Sequence, residues 1–155
     1  MLKIKRINPY NKNHLDFLYE TRFNSDVIKT LLPSEKPSFE KHVAYIRAKD
    51  TSGHLFFLCH VEDHNEDVLV GYCQCFSIGE NVWELGWVIH PVCQNKGYGK
   101  QSVQLLLDEV SAMGGIAAEL VVLKENVRAF SIYVRSKFEV VEDLEGSYRM
   151  RLELT

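Results

Sequence analysis

The sequence predicts a mixed α/β fold, a mostly antiparallel central sheet flanked by helices. Three observations carry that expectation. Apolar residues alternate with period 2, or run in short blocks, near both ends and in the middle of the chain, and stretches of 3.6-residue spacing separate them. The resulting order is β-α-α-α-β-β-β-α-β-α-β-β, in which hairpins dominate and one β-α-β segment in the middle makes a parallel pair. The chain has 155 residues, 46% apolar and 25% charged, which suits one globular domain over residues 1–155 built around one core.

The elements follow in order. LKIKRI alternates and reads as the first strand. Leu15, Leu18 and Tyr19 stand at i, i+3, i+4 and give a short helix from about Asn11 to Arg22. NSDVIKTLL is a second short helix, stopped by Pro33. Ser38 caps the helix FEKHVAYIRAKD, whose Phe39, Val43 and Ile46 share a face. HLFFLCHV and VLVGYCQCFSI form a hairpin around the polar turn EDHNED. NVWELGWVIH is a further strand, stopped by Pro91, and its internal Gly86 predicts a bulge or a close backbone approach. KGYGKQSVQLLLDEVSAM reads as a helix with Val103, Leu106, Leu107 and Val110 as its buried stripe, ended by Gly114 and Gly115. IAAELVVL is a buried strand, ENVRAFSIYVRS a helix, and FEVVEDL and SYRMRLEL are closing strands around Glu145-Gly146.

Composition excludes several classes. A net charge of -3 leaves no basic footprint for nucleic acid. No apolar run approaches the ~20 residues of a membrane span, so no membrane partner is expected. MLKIKRINPY lacks the apolar segment of a signal peptide, which points to a cytoplasmic protein. Cys59, Cys73, Cys75 and Cys93 have no framework spacing. Cys73 and Cys75 share a strand face that suits burial, and no second ligand pair stands where a zinc site needs one, so no metal is expected.

The chemistry concentrates in QNKGYGK, residues 94–100, between a strand and a helix. Glycines let successive amides point inward, and a helix N-terminus adds partial positive charge, so the loop forms a nest for a pyrophosphate with Lys96 and Lys100 at its rim. A P-loop is excluded, because one residue separates Gly97 from Gly99 and Gln101 follows Lys100. A dinucleotide fingerprint would need a third glycine where Ser102 stands.

Gln94, Gly97 and Gly99 after a strand ending in His90-Pro91, followed by a second strand and then Asn126 and Tyr133 on a helix, resemble the GNAT superfamily of acyl-CoA N-acyltransferases. The resemblance is specific from about Trp83 to Phe138. It implies a splayed strand pair forming a cleft for acetyl-CoA as co-substrate. It implies Asn95, Lys96, Gly97, Tyr98, Gly99 and Lys100 around the pyrophosphate, with Trp87, Val88 and Ile89 lending backbone to the pantetheine arm. The family's usual Gly-Phe after the last helix is Lys137-Phe138 here, so that helix must close without glycine.

Acyl transfer to an amine needs a neutral amine, donors for the developing oxyanion and a proton for the leaving thiolate. Tyr133, two turns beyond Asn126 on nearly the same helix face, is the proton donor that the resemblance implies. Reference pKa values of about 10 and 8.5 keep a phenol protonated beside a thiolate. Asn126 is either a helix cap or a cofactor contact. A backbone amide of Trp87–Ile89 is the expected oxyanion donor. Two residues compete as base. Glu84 shares a strand face with Gly86 and Val88 and acts through water; His42 has the ordinary pKa of an amine-proton acceptor. TRFNSDVIKTLLPSEKPSFEKHVAYI is similar to the amino-terminal part of GNAT enzymes that acetylate nucleotide-linked amino sugars, as in the pseudaminic-acid pathway, through Arg22, Asn24, Phe39, Glu40 and His42. In that light Arg22 is a substrate phosphate or carboxylate partner.

The expected activity is N-acetyl transfer from acetyl-CoA to a small-molecule primary amine, first an amino group on a nucleotide-linked sugar, second a protein N-terminus or ribosomal protein. A non-catalytic acyl-CoA-binding module and an ATP- or NAD-binding domain stay open as other classes. Pairing of an exposed closing strand such as SYRMRLEL would give a homodimer.

Overall fold

The computed structural model describes residues 1–28 and 36–154. β1 (Lys3–Arg6) is followed by α1 (Lys12–Arg22), α2 (Ser25–Ile28) and α3 (Phe39–Thr51). Then come β2 (Leu55–Asp63), β3 (Glu66–Gly79) and β4 (Val82–Ile89), α4 (Tyr98–Ala112), β5 (Ala117–Leu123), α5 (Val127–Arg135), β6 (Glu139–Leu144) and β7 (Ser147–Glu153). The expected run of the second helix to Leu32 and its stop at Pro33 lie outside the described residues. The strands form one sheet in the order β1-β2-β3-β4-β5-β7-β6, antiparallel except at β4–β5. The sequence order of elements and the mixed, mostly antiparallel sheet are as expected.

Local chemistry explains the borders. Asn11 Oδ1 accepts from His14 N at 3.2 Å, and Ser38 Oγ accepts from Lys41 N at 3.2 Å, so α1 and α3 begin at side-chain caps. The polar turn after β2 is shorter than EDHNED suggests. His64 and Asn65, at φ 49 and 64, make a two-residue loop of the left-handed kind that matches strand twist. Glu80 and Asn81, at φ 55 and 60, do the same between β3 and β4.

The sheet splits the single expected core into two layers. Leu15, Leu18, Val27 and Ile46 from the first three helices pack with Phe56, Leu58, Tyr72 and Val88 on one face. Val103, Leu106, Leu107 and Val110 of α4 pack on the other face with Phe57, Cys73, Cys75, Leu85 and Leu120. Alternation along β2 and β3 deals neighbouring residues to opposite layers, and the register shift at Cys59–His60 puts Val70 and Tyr72, two residues apart, in different layers.

Two strand expectations are corrected. Gly86 marks no bulge: it pairs in regular register with Gln74, and the register shift in that ladder falls between Ser77 and Gly79. Its missing side chain instead admits Gln74, whose Nε2 would lie 3.1 Å from a Cβ there. SYRMRLEL is not an exposed edge either. β7 lies between β5 and β6, and β6 forms the sheet edge at that end, with Val140 and Val141 exposed.

Candidate active site

The parallel ladder between β4 and β5 has three rungs, Val82 with Ala117, Trp83 with Ala118 and Glu84 with Glu119. Beyond Glu84 the two strands part, while β5 stays paired with β7 as far as Leu123. The last rung sets two carboxylates directly opposite, an arrangement that repels. Arg149 of β7 answers both, donating to Glu84 Oε1 at 3.0 Å and to Glu119 Oε1 at 3.1 Å, and Arg151 donates to Glu119 Oε2 at 2.8 Å. An ion-pair network thus sits at the crotch of a V-shaped opening.

Two cavities fill the V. The larger, about 600 Å³, is lined by Trp87, Val88 and Ile89 of β4, by the loop from Cys93 to Lys100, and by one face of α5. The smaller, about 250 Å³, is lined by Arg22, Tyr72, Gln74, Glu84 and Gly86 and by the free arm of β5. Trp87, Val88, Asn126, Ala129 and Tyr133 line both, so the cavities adjoin there.

The loop in the larger cavity leaves backbone amides without acceptors at a helix start, an arrangement that can hold an anion. Gly97 caps α4 at φ 81 and ψ 5, in the left-handed region, with no side chain bonded to the helix start. The first intrahelical bond is Gln101 N to Gly97 O at 3.2 Å, so the amides before it have no intrahelical acceptor. Asn95 adds a second left-handed residue at φ 66. Gly99 serves another purpose: a Cβ there would stand 3.3 Å from Ile132 Cδ1, so its absence lets α4 approach α5. Gln94 ties the loop to β4, donating from Nε2 to Ile89 O at 3.2 Å. Lys100 lines the cavity; Lys96 does not. Cys93 lines it too.

Sequence reasoning missed the cations of α5. Arg128, Ser131, Ile132 and Arg135 all line the larger cavity. Their i, i+3, i+4, i+7 spacing was the available signal. Arg128 Nη1 also reaches Gln94 Oε1 at 3.4 Å. Free amides, flanking arginines and a deep apolar wall fit a group with phosphates at one end and an extended arm at the other.

Tyr133 stands where the cavities meet. Its ring packs on Trp87 at 5.4 Å and Phe138 at 6.1 Å between centroids. Burial pushes its phenol well above the ordinary tyrosine value, and its hydroxyl has no hydrogen-bond partner among the described residues. Asn126 combines the two roles left open: Oδ1 accepts from Ala129 N at 3.2 Å as the cap of α5, and the side chain lines both cavities.

The two base candidates separate. Glu84 lies on the wall of the smaller cavity, bonded to Arg149. The structure does not bring His42 to the site. It is 2% exposed, lines neither cavity, and sits among Tyr19, Phe23 and Phe39 at 5.2, 5.8 and 6.5 Å. Burial, and then the charge of Arg22, lower it to about 4. Arg22, expected to touch substrate, does line the smaller cavity. Among the described residues no cluster of His, Cys, Asp and Glu suits a metal ion, and no helix is long and apolar enough to cross a membrane.

The family model of the acetyltransferase (GNAT) family matches residues 22–138. The chain belongs to that family. GNAT proteins are acyltransferases, and solved structures of this fold include complexes with acetyl-CoA and with CoA. Among solved structures, a domain from Methanocaldococcus jannaschii DSM 2661 superposes with a TM-score of 0.87 at 20% identity, over 99% of each chain. The spermidine N-acetyltransferase of Vibrio cholerae, solved with CoA and spermine, gives 0.84 at 18% identity over 98% of this chain and 95% of that one. FdhC, a nucleotide-linked sugar GNAT, gives 0.79 at 14% identity over 98% and 86%. An uncharacterized N-acetyltransferase of Bacillus subtilis (strain 168), YnaD, is 40% identical over 45 residues, which is 28% of this chain and 26% of that protein.

Proposed function

We propose that this protein transfers an acetyl group from acetyl-CoA to a small-molecule primary amine by direct attack, with no covalent enzyme intermediate. The observation that carries the reading is the meeting of the two cavities at Trp87, Val88 and Tyr133. One cavity suits a long phosphorylated donor. The other, below the ~300–1,000 Å³ typical of drug-sized ligands, suits a compact acceptor or the compact end of a larger one.

In this proposal acetyl-CoA supplies an activated acyl thioester and the chain supplies the rest. The amides of Gly97 to Lys100 with Arg128 hold phosphate, and the backbone of Trp87 to Ile89 pairs with the extended arm as an added strand would. A β4 amide donates to the carbonyl oxygen as charge develops on it. Tyr133 keeps its proton at neutral pH and delivers it to the departing sulfur. Glu84 takes the amine proton through water. It is the only carboxylate, and there is no histidine, among the described residues lining the two cavities. The first acceptor to test is an amino group on a nucleotide-linked sugar, for which the Arg22 side of the smaller cavity is the support.

Thermal melting with acetyl-CoA, CoA, ATP and NAD tests the donor, since a ligand bound only by the native state raises the melting temperature. Thiol release over a panel of amino sugars, nucleotide-linked amino sugars, polyamines and amino acids then tests the acceptor. A shift with acetyl-CoA together with thiol release on one panel member is the expected result. No shift with either CoA species overturns the reading, and a shift without turnover on any amine leaves a binding module in its place.

A further inference from the structure

The smaller cavity carries one charge that no described residue balances. Glu84 is answered by Arg149, whereas Arg22 makes no ion pair among the described residues. Two polar groups beside it are also unspent. Tyr72 is 1% exposed, and no described residue accepts its hydroxyl proton. A buried hydroxyl proton without an acceptor is uncommon in a native protein and calls for a ligand or a bridging molecule. Arg22 lies close enough to Tyr72 for its charge, and donation to the phenol oxygen, to oppose the rise that burial imposes on the phenol.

Gln74 supplies the third group, and its orientation is set from behind. His54, 7% exposed, is stacked between Phe56 at 4.5 Å and Phe76 at 4.7 Å, and its Nε2 meets Gln74 Oε1 at 2.9 Å. Burial lowers the imidazole, so it stays neutral, with one N–H to donate to that carbonyl oxygen. With its oxygen engaged, Gln74 turns its amino group over the bare backbone of Gly86. Tyr72 pairs with Val88 and Gln74 with Gly86, so both stand on the face of the sheet beside the β4 arm, one strand spacing of ~4.8 Å away.

A guanidinium with no carboxylate partner, a phenol O–H and an amide N–H₂ with no acceptor among the described residues together describe a receptor for oxygen anions. We propose that Arg22, Tyr72 and Gln74 form an oxyanion-reading subsite, so that the acceptor is an amine that also carries a phosphate or carboxylate group. The inference rests on the acetyl-transfer reading and narrows its substrate class: polyamines and other purely cationic amines are poor acceptors. The two sources of the anion, a phosphorylated compound and an amino-acid-like compound, share this chemistry.

The test needs no knowledge of the acceptor. Protein saturated with CoA, which fills the loop's own phosphate sites, is melted with sodium phosphate, sodium acetate or sodium chloride at matched ionic strength. Wild type is compared with Arg22→Gln and Tyr72→Phe. Phosphate or acetate is expected to raise the wild-type melting temperature above chloride, and the stronger of the two names the source. Arg22→Gln should weaken that anion's binding by about tenfold or more, as for the loss of a charged hydrogen-bond partner, and Tyr72→Phe should weaken it less. Equal rises in wild type and Arg22→Gln, or no rise over chloride with either anion, overturn the subsite. Acetyl-CoA alone is melted in parallel. Failure there removes the transfer reading, whereas an acetyl-CoA shift without anion discrimination removes only the subsite.

Discussion

Tyr133→Phe removes one hydroxyl and leaves the ring. The ring's contacts with Trp87 and Phe138 do not involve the oxygen, and that oxygen bonds to no described residue. Stability should therefore move by less than ~0.5 kcal/mol, the usual range for a substitution that breaks nothing. Catalysis should move far more. A positioned acid contributes about 10²–10⁴-fold, or roughly 3–5 kcal/mol at 1.36 kcal/mol per tenfold. Steady-state thiol release should show kcat reduced about 100-fold or more, with KM for acetyl-CoA and the melting shift by CoA retained.

The pH profile adds a second reading. Burial raises the native phenol above its ordinary value of ~10, so the acid form is complete at neutrality and stays so up to at least that pH. Wild-type kcat should show no alkaline loss due to Tyr133 below about pH 10. A variant whose kcat stays within about threefold of wild type while CoA still binds would refute the assignment, since no acid worth 10²-fold could then reside there.

Other consequences follow from single contacts. His42 titrates near 4 in the fold against 6.5 in the open chain, so the unfolded state binds more protons between those values. Its contribution is complete above about pH 6.5 and is lost as pH falls toward 4, up to about 3 kcal/mol; His42→Phe should flatten that limb in acid melts without lowering kcat, and a large loss of kcat would restore His42 to the chemistry. Lys137 is held at φ 78, and Lys137→Gly should raise stability by about 0.5–1 kcal/mol in denaturant titrations, the relief of a left-handed residue less glycine's added chain entropy. Arg128→Gln should raise KM for acetyl-CoA about fivefold with kcat unchanged, and added salt should narrow the gap from wild type.

The regular parts of this fold were legible because they follow from local spacing. The stripe Val103, Leu106, Leu107 and Val110 is buried at 5% exposure or less, as a 3.6-residue period requires. The loop Gln94–Lys100 was legible because strand, glycines and helix lie in one short run. What failed depended on partners distant in sequence. No pattern within WELGW shows that Gln74 will lie on Gly86, and none within SYRMRLEL shows that β6 will cover it. His42 has a histidine's ordinary promise in sequence, and only the packing of Tyr19, Phe23 and Phe39 around it reveals its burial. Tyr72 and Gln74 were invisible as a site for the same reason: their meaning comes from Arg22, 50 residues earlier than Tyr72.

The opening between β4 and β5 links the sheet's unpaired edges to its use. After Glu84 and Glu119 the facing edges of both strands lose their ladder, leaving backbone donors and acceptors along Leu85–Ile89 and Leu120–Leu123 without a sheet partner on that side. Such edges invite another strand. Closing the V would satisfy them, so something must hold it open, and α5 enters here, setting Asn126, Ala129 and Tyr133 against the walls of both cavities. The Arg149 network holds the other end, where like charges would otherwise split the last rung. Arg149→Met should therefore cost about 1–2 kcal/mol, the lower part of the range for a charged network that is partly screened by water. If the network also fixes where the strands part, KM for acetyl-CoA should rise together with that loss of stability. A stability loss with unchanged KM would show that α5 alone sets the opening.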